Sequence, residues 1–279
     1  MPLPIAVIPW FELPSLTLGP VTIQAFGVLS ALGILAAVEL ASRADRQLGN
    51  DPRVIPDFAV AGVIAGVVFG HLVHLLFYHP EELADPWRIL KFWEGLSSMG
   101  GLLGGIVAAV AFFRIRRIPF QRHADAFALG VAPGWGVARV GCFTVHDHPG
   151  VHTTFPLAVR FGDGPRHDLG LYEAVVLLSI GALLWTFHRR DVLRGRLLAV
   201  LALLYGVARF LLDFLRASDG PYPDARIRGL TFAQYFAVAL VAWSVWAFAR
   251  YRRHAATGSG GPALAAGGRP RDLRPGERR

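Results

Sequence analysis

The chain has 279 residues, 53% of them hydrophobic and only 17% charged, and its mean hydropathy of +0.43 is that of a polytopic membrane protein rather than a soluble enzyme domain. A net charge of +8 and a pI of 10.5 would suit a nucleic-acid binder, but the arginines fall in alternate loops instead of on one basic face, which argues against that class. The single cysteine, Cys142, excludes an internal disulfide.

The first twenty residues lack a basic leader and are broken by Pro2, Pro4, Pro9, Pro14 and Pro20, so they do not read as a signal peptide. Seven apolar stretches follow, roughly 21–42, 57–78, 97–114, 124–145, 170–188, 196–217 and 229–250. About 20 apolar residues cross the ~30 Å hydrocarbon layer as a helix. The expectation is an all-α integral membrane protein with seven transmembrane helices, forming one domain over residues 1–254. Arg43, Arg46 and Arg53 follow the first stretch; Arg114, Arg116, Arg117 and Arg122 follow the third. Arg189, Arg190, Arg194 and Arg196 follow the fifth, and Arg250, Arg252 and Arg253 the seventh. By the positive-inside rule the N-terminus lies outside and the C-terminus in the cytoplasm. Arg216, Arg226 and Arg228, between the sixth and seventh stretches, run against the pattern. Residues 255–279, rich in Gly, Pro and Arg, are expected to be a disordered cytoplasmic tail.

Within these stretches a few residues carry chemistry. His71 and His74 share a helical face and read as helix-bonded or interfacial histidines. Gly100, Gly101, Gly104 and Gly105 have the spacing of close helix packing, or of bare backbone lining a headgroup cavity. In the fourth stretch Trp135, Arg139, Cys142 and His146 project within one arc, with Cys142 a small buried hydrophobe rather than a nucleophile. His146-Asp147-His148, followed by Pro149-Gly150, reads as a solvated turn ahead of a metal clip or a base with its orienter. Asp168 has the place of an N-cap and Glu173 that of a first-turn acid. Tyr205, Arg209, Asp213 and Arg216 form a polar stripe about 80° wide on an otherwise apolar helix. An ion-paired seam of Arg209 with Asp213 is the structural reading. An arginine at a helix centre costs roughly 2.5–3.5 kcal/mol, however, and one acid cannot neutralise Arg139, Arg209 and Arg216. The cations point to an anion site, and the abundant anion of a bilayer is a phospholipid headgroup.

Taken in order, the motifs resemble those of the prolipoprotein diacylglyceryl transferases over about residues 18–250. The matching pieces are Leu18-Gly19-Pro20 through Gly27, Phe77-Tyr78 through Trp93-Glu94-Gly95, Gly100-Gly101-Leu102 through Gly105, and Arg139-Val140-Gly141 with Phe143 and Gly150. Leu171-Tyr172-Glu173 and the run Tyr205-Gly206, Arg209-Phe210, Asp213-Phe214 and Arg216 complete the set. The resemblance implies a bacterial inner-membrane, multi-pass enzyme that moves the diacylglyceryl group of phosphatidylglycerol to the lipobox cysteine of a prolipoprotein signal peptide. No cofactor, metal or nucleic acid is implied. It also implies roles: Arg139, Gly141, Gly100, Gly101, Asp213 and Arg216 in substrate binding, and Arg209, Tyr205 and Glu173 in catalysis. His167, just before the matched Tyr172-Glu173, is the choice for the base. The chain departs from the family at Met99 and Cys142, where a histidine and an asparagine are usual, and at Ala138, Phe26, Gln24 and His71. Two other classes stay open: a paralogue that binds or flips anionic phospholipid without transfer, and a small-anion transporter, for which the halves show no inverted repeat.

Overall fold

A computed structural model describes residues 7–18, 21–91, 95–219 and 226–256. Gly19-Pro20, Trp93-Glu94 and the tail beyond residue 256 lie outside the described residues. Seven helices run as α1 (Ala25–Gln47), α2 (Val54–Val73), α3 (Ser98–Ile115), α4 (Ala124–Val145), α5 (Leu169–Arg189), α6 (Leu197–Leu212) and α7 (Phe232–Ala256). Their limits follow local chemistry. Ser97 accepts from Gly100 N at 3.4 Å to open α3, and Asp168 accepts from Leu171 N at 3.0 Å to open α5, as its sequence position predicts. Among the described residues, six helices are long and apolar enough to cross a membrane. The exception is α3, whose apolar part, Gly100–Ile115, is shorter, at about 24 Å for 16 residues.

The all-α expectation needs a correction: the protein is mostly helical, but its described residues include three small antiparallel sheets. These pair β1 (Leu16–Leu18) with β2 (Val21–Ile23), order β3 (Pro149–His152), β5 (Gly164–Asp168) and β4 (Val159–Phe161) with β5 central, and pair β6 (Arg226–Ile227) with β7 (Leu230–Thr231). Turn chemistry is the reason. Phe161 pairs with Gly164 across the two-residue loop Gly162-Asp163. Ile227 pairs with Leu230 across Arg228-Gly229, both at positive φ (50° and 84°), the backbone of a tight hairpin.

The chain divides into two compact units, residues 1–49 with 124–279, and residues 50–123. In the smaller unit Asn50 Nδ2 donates to Arg122 O at 2.8 Å, joining its ends. Gly100 and Gly104 sit directly against the α2 backbone at Phe69-Gly70 and Ala65, where a Cβ would collide. This is the close packing their spacing predicts. His71 is fully buried, with Nδ1 3.1 Å from Gly95 O and Nε2 2.9 Å from Arg88 O, so it fastens the loop between α2 and α3.

The larger unit rests on a small-residue seam between α1 and α4. A Cβ on Gly33 would come within 2.5 Å of Gly134 O, and one on Gly130 would meet Ala37 O and Ala41. Next, α4 and α5 run antiparallel in tight register. Gly170 touches Cys142 and Phe143, Gly136 touches Leu178, Gly181 touches Pro133, and Trp185 Nε1 donates to Leu129 O at 3.0 Å. Each step along α5 is matched by an equal step back along α4. Finally α6 packs on α7, with Ser244 Oγ donating to Ala199 O at 2.7 Å and Gln234 Nε2 to Phe210 O at 3.2 Å.

Candidate functional site

The α4–α5 register decides where Glu173 goes. It stands three residues past Gly170, as Arg139 stands three before Cys142, and the two side chains meet with Arg139 Nε 2.6 Å from Glu173 Oε2. The approach is close enough for an ion pair but off the hydrogen-bonding line, since neither atom has a bonded partner. Glu173 Oε1 instead accepts from Arg209 Nη1 on α6. Arg209 Nη2 reaches Asp213 Oδ1 at 3.0 Å, and the same oxygen accepts from Arg216 Nε at 3.1 Å. Asp213 Oδ2 takes the hydroxyl of Thr231, whose backbone N donates to Gln234 Oε1 at 3.0 Å. The result is one continuous chain, Arg139–Glu173–Arg209–Asp213–Arg216, alternating in sign.

This chain lies in the interior: Arg139 and Arg209 are 8% and 9% exposed, Glu173 1% and Asp213 0%. Buried ions cost several kcal/mol each to desolvate unless neighbours of opposite sign compensate. Alternation provides that compensation, and at the centre of the row Arg139 and Arg209 share the single carboxylate of Glu173. Tyr205, half-buried one turn before Arg209 and beside Trp135, interacts electrostatically with Arg139, Arg209 and Glu173.

One element of the predicted stripe takes a different geometry. Helix α6 ends at Leu212, Asp213–Leu215 tighten into a 3₁₀ turn, and Arg216 is extended at φ −68°, ψ 133°. Arg216 therefore meets Asp213 across that turn rather than along an α-helical face. Its backbone then docks on the loop after α4: Gly150 bridges Arg216, and Ala217 N donates to Pro149 O at 3.3 Å.

That loop also differs from the solvated turn expected for it. His146 leaves α4 at φ 50° and is buried, with Nδ1 2.8 Å from Asp168 Oδ2 and a box of Trp10, Phe11, Phe143 and Phe161 around its ring. Burial pushes the Asp168 carboxyl up, and the His146 bond opposes the shift. The turn folds inward because Ile8 joins the edge of β4, bringing Trp10 and Phe11 over the imidazole. A cleft of about 370 Å³ beside it is lined by Trp10, Phe11, Glu12, Gln24, Thr144 and His146 among others, and its described lining does not include Arg139, Arg209 or Arg216. His148 turns the other way: Nδ1 bonds Asp147, and Nε2 lies 3.2 Å from Arg139 Nη1. The same Nη1 is 3.6 Å from Cys142 Sγ. Cys142, Asp147 and His148 cluster closely enough to hold a metal ion, but the Arg139 cation already faces two of their three donor atoms.

The remaining candidates sit as follows. Gly141 packs α4 on α1, its Cβ position 3.2 Å from Phe26 O. Gly100 and Gly101 belong to the smaller unit. His167 is on β5, its Nδ1 2.8 Å from Tyr172 Oη, and partial burial lowers its pKa from the usual histidine range. The structure thus joins Arg139, Glu173, Tyr205, Arg209, Asp213 and Arg216, and adds His148, which turns onto Arg139 while its partner Asp147 stays exposed as the sequence predicts. The nearby signal was a His-Asp-His run one to three residues past the end of α4.

Comparison with known proteins identifies the family. The family model described as prolipoprotein diacylglyceryl transferase matches residues 14–250. A phosphatidylglycerol–prolipoprotein diacylglyceryl transferase of Chromohalobacter salexigens is 34% identical over 242 residues, 83% of this chain and 91% of the relative. Proteins of the same name from Nitratidesulfovibrio vulgaris and Pseudomonas paraeruginosa are 33% and 32% identical, over 83% and 89% of this chain and 91% and 97% of their own lengths. The chain belongs to the prolipoprotein diacylglyceryl transferase family.

Proposed function

We propose that this chain transfers the diacylglyceryl group of phosphatidylglycerol to the lipobox cysteine thiol of prolipoproteins, the first step of lipoprotein maturation. The observation that carries the reading is the buried cationic row in which Arg139 and Arg209 share Glu173. A phosphodiester is the anion such a row can hold inside a bilayer, and guanidinium forks bind its oxygens in charge-assisted, often bidentate, bonds. As the carbon–oxygen bond of the lipid breaks, negative charge grows on the departing phosphate. Donors fixed in advance in a water-poor site stabilise that change most. Glu173 and Asp213 hold the two arginines apart and aimed, and Tyr205 adds a hydroxyl beside them. Gly141 contributes by letting α1 approach α4, and within the smaller unit Gly100 lets α3 close on α2.

The enzyme works in the bacterial inner membrane with seven spans, the shorter α3 among them, the N-terminus outside and the C-terminal tail in the cytoplasm. Reporter fusions at Arg46, Arg117 and Arg190 should read cytoplasmic, and fusions near Asp85 and His152 external. An external C-terminus would overturn the topology. The activity itself is tested with purified protein, phosphatidylglycerol vesicles and a lipobox peptide, scored by thioether formation, and by complementation of a strain depleted of its own transferase. Vesicle binding without transfer in both tests would favour the lipid-binding reading instead.

A further inference from the structure

We infer that His148, oriented by Asp147, is the base that removes the proton from the incoming thiol, and that Arg139 holds its reactive nitrogen until a phosphate arrives. The inference rests on the transferase reading above. It starts from hydrogen-bond bookkeeping. A guanidinium can only donate, so His148 Nε2, 3.2 Å from Arg139 Nη1, is the accepting nitrogen, and Nδ1–H faces the Asp147 carboxylate. A ring with its proton on Nδ1 and its lone pair on Nε2 is the tautomer that general-base catalysis requires, and a carboxylate behind it steadies the imidazolium that forms.

The backbone fixes this ring in place. Leu169 N donates to His148 O at 3.0 Å, Ala217 N to Pro149 O at 3.3 Å, and Arg166 Nη1 to Gly150 O at 3.1 Å, so elements from three parts of the unit hold one short loop. Gly150 is needed there, because a Cβ would fall 2.6 Å from Leu215 O and 2.7 Å from His167 Cβ. His148 keeps a fifth of its side chain exposed, whereas His146 is sealed among aromatics and committed to Asp168, and His167 is bonded to Tyr172. Among the described residues, His148 is the imidazole bonded to an arginine of the cationic row.

Arg139 Nη1 spends its contacts on two partners, the His148 ring and the Cys142 sulfur. A phosphate oxygen is the stronger acceptor, because it brings an opposite charge to the guanidinium where the imidazole and the thiol are neutral. Lipid binding therefore draws the guanidinium away and leaves Nε2 free beside the phosphate. The thiol proton passes to Nε2, and the sulfur electron pair forms the bond to the glyceryl carbon. The carbon–oxygen bond breaks, its electron pair leaving with the phosphate. The glycerol phosphate carries one more negative charge, held by Arg139 and Arg209, and the imidazolium returns its proton to it. The groups facing this ring are Asp147, Arg139 and Cys142 around it and Asp168 behind it on β5.

A selenol is ionised at neutral pH without help, which separates loss of a base from loss of structure. Purified unmodified protein, His148→Gln, His148→Asn, Asp147→Asn and His167→Gln are compared in phosphatidylglycerol vesicles with paired lipobox peptides carrying cysteine or selenocysteine. Expected for both His148 variants is a fall of about 100-fold or more in kcat/KM with the cysteine peptide, the scale of general-base catalysis, and less than about 10-fold with selenocysteine. Asp147→Asn should show the same selectivity to a smaller degree, and His167→Gln none. Near-normal cysteine transfer by either His148 variant, an equal loss with both peptides, or selective loss in His167→Gln would overturn the assignment. No transfer by the unmodified protein would instead remove the reading beneath it.

Discussion

Arg166 and Arg209 each engage two carboxylates, one at the rim of the three-stranded sheet and the other between membrane helices. Arg166 clasps Asp163 through Nε and Nη2 and Asp219 through Nη1 and Nη2, at 2.5–3.1 Å, but both acids are more than half exposed. Arg209 pairs with Glu173 and Asp213, which are almost fully buried, and a second buried arginine leans on the same glutamate. Arg166 is as buried as Arg209, but water competes for both of its acids, so near-ideal geometry holds a loop and little more. In the interior the same groups must satisfy one another, and two arginines share one glutamate there, the arrangement on which the proposed phosphate site rests. Equal chemistry in unequal surroundings separates a fastening from a site.

The largest expected effect breaks the comparison on the interior side. Arg139→Ala or Arg209→Ala should lower kcat by 10²-fold or more, the scale of losing a fixed donor to developing charge, with the protein still inserted and folded. Lysine at either position should restore little, since it lacks the planar fork. Wild-type transfer by both alanine variants would make the row structural. Next, Glu173→Ala leaves two buried guanidinium groups side by side, and breaking a buried pair in this way costs roughly 3–5 kcal/mol. Thermal unfolding in detergent should show that loss, and an unchanged midpoint would mean water already screens the row.

At the rim, Arg166→Ala should move the midpoint far less than Glu173→Ala and leave transfer nearly intact. The Arg166 bonds hold Asp163 and Asp219 below the usual carboxylate range. Their contribution is thus present above an unfolded value of about 3.9 and fades as pH drops through the lowered values. The difference between unmodified protein and Arg166→Ala should be widest near neutrality and close in acid; a gap that persists in acid would show packing rather than charge. Smallest of all, Cys142→Ser should keep substantial transfer, because the acceptor thiol belongs to the substrate. Abolished transfer would make Cys142 a participant.

The mostly helical, multi-span character, six of the seven expected spans, and the stripe of Tyr205, Arg209 and Asp213 were legible in the residues, because lipid imposes long apolar runs and an intramembrane charge stands out against them. The Asp168 cap was legible too, since it acts on a backbone N–H three residues away. Contacts across helices were not. Glu173 read as a first-turn acid suited to the helix dipole; the glycine-spaced register of α5 on α4 turned it toward Arg139. His146 and His148 looked alike in a solvated turn, and the left-handed residue at the end of α4 sent one ring into an aromatic box and the other onto a guanidinium. Sequence spacing governs which residues share a helix face, but which face meets which is set by where small residues let two backbones touch, and that depends on the whole fold.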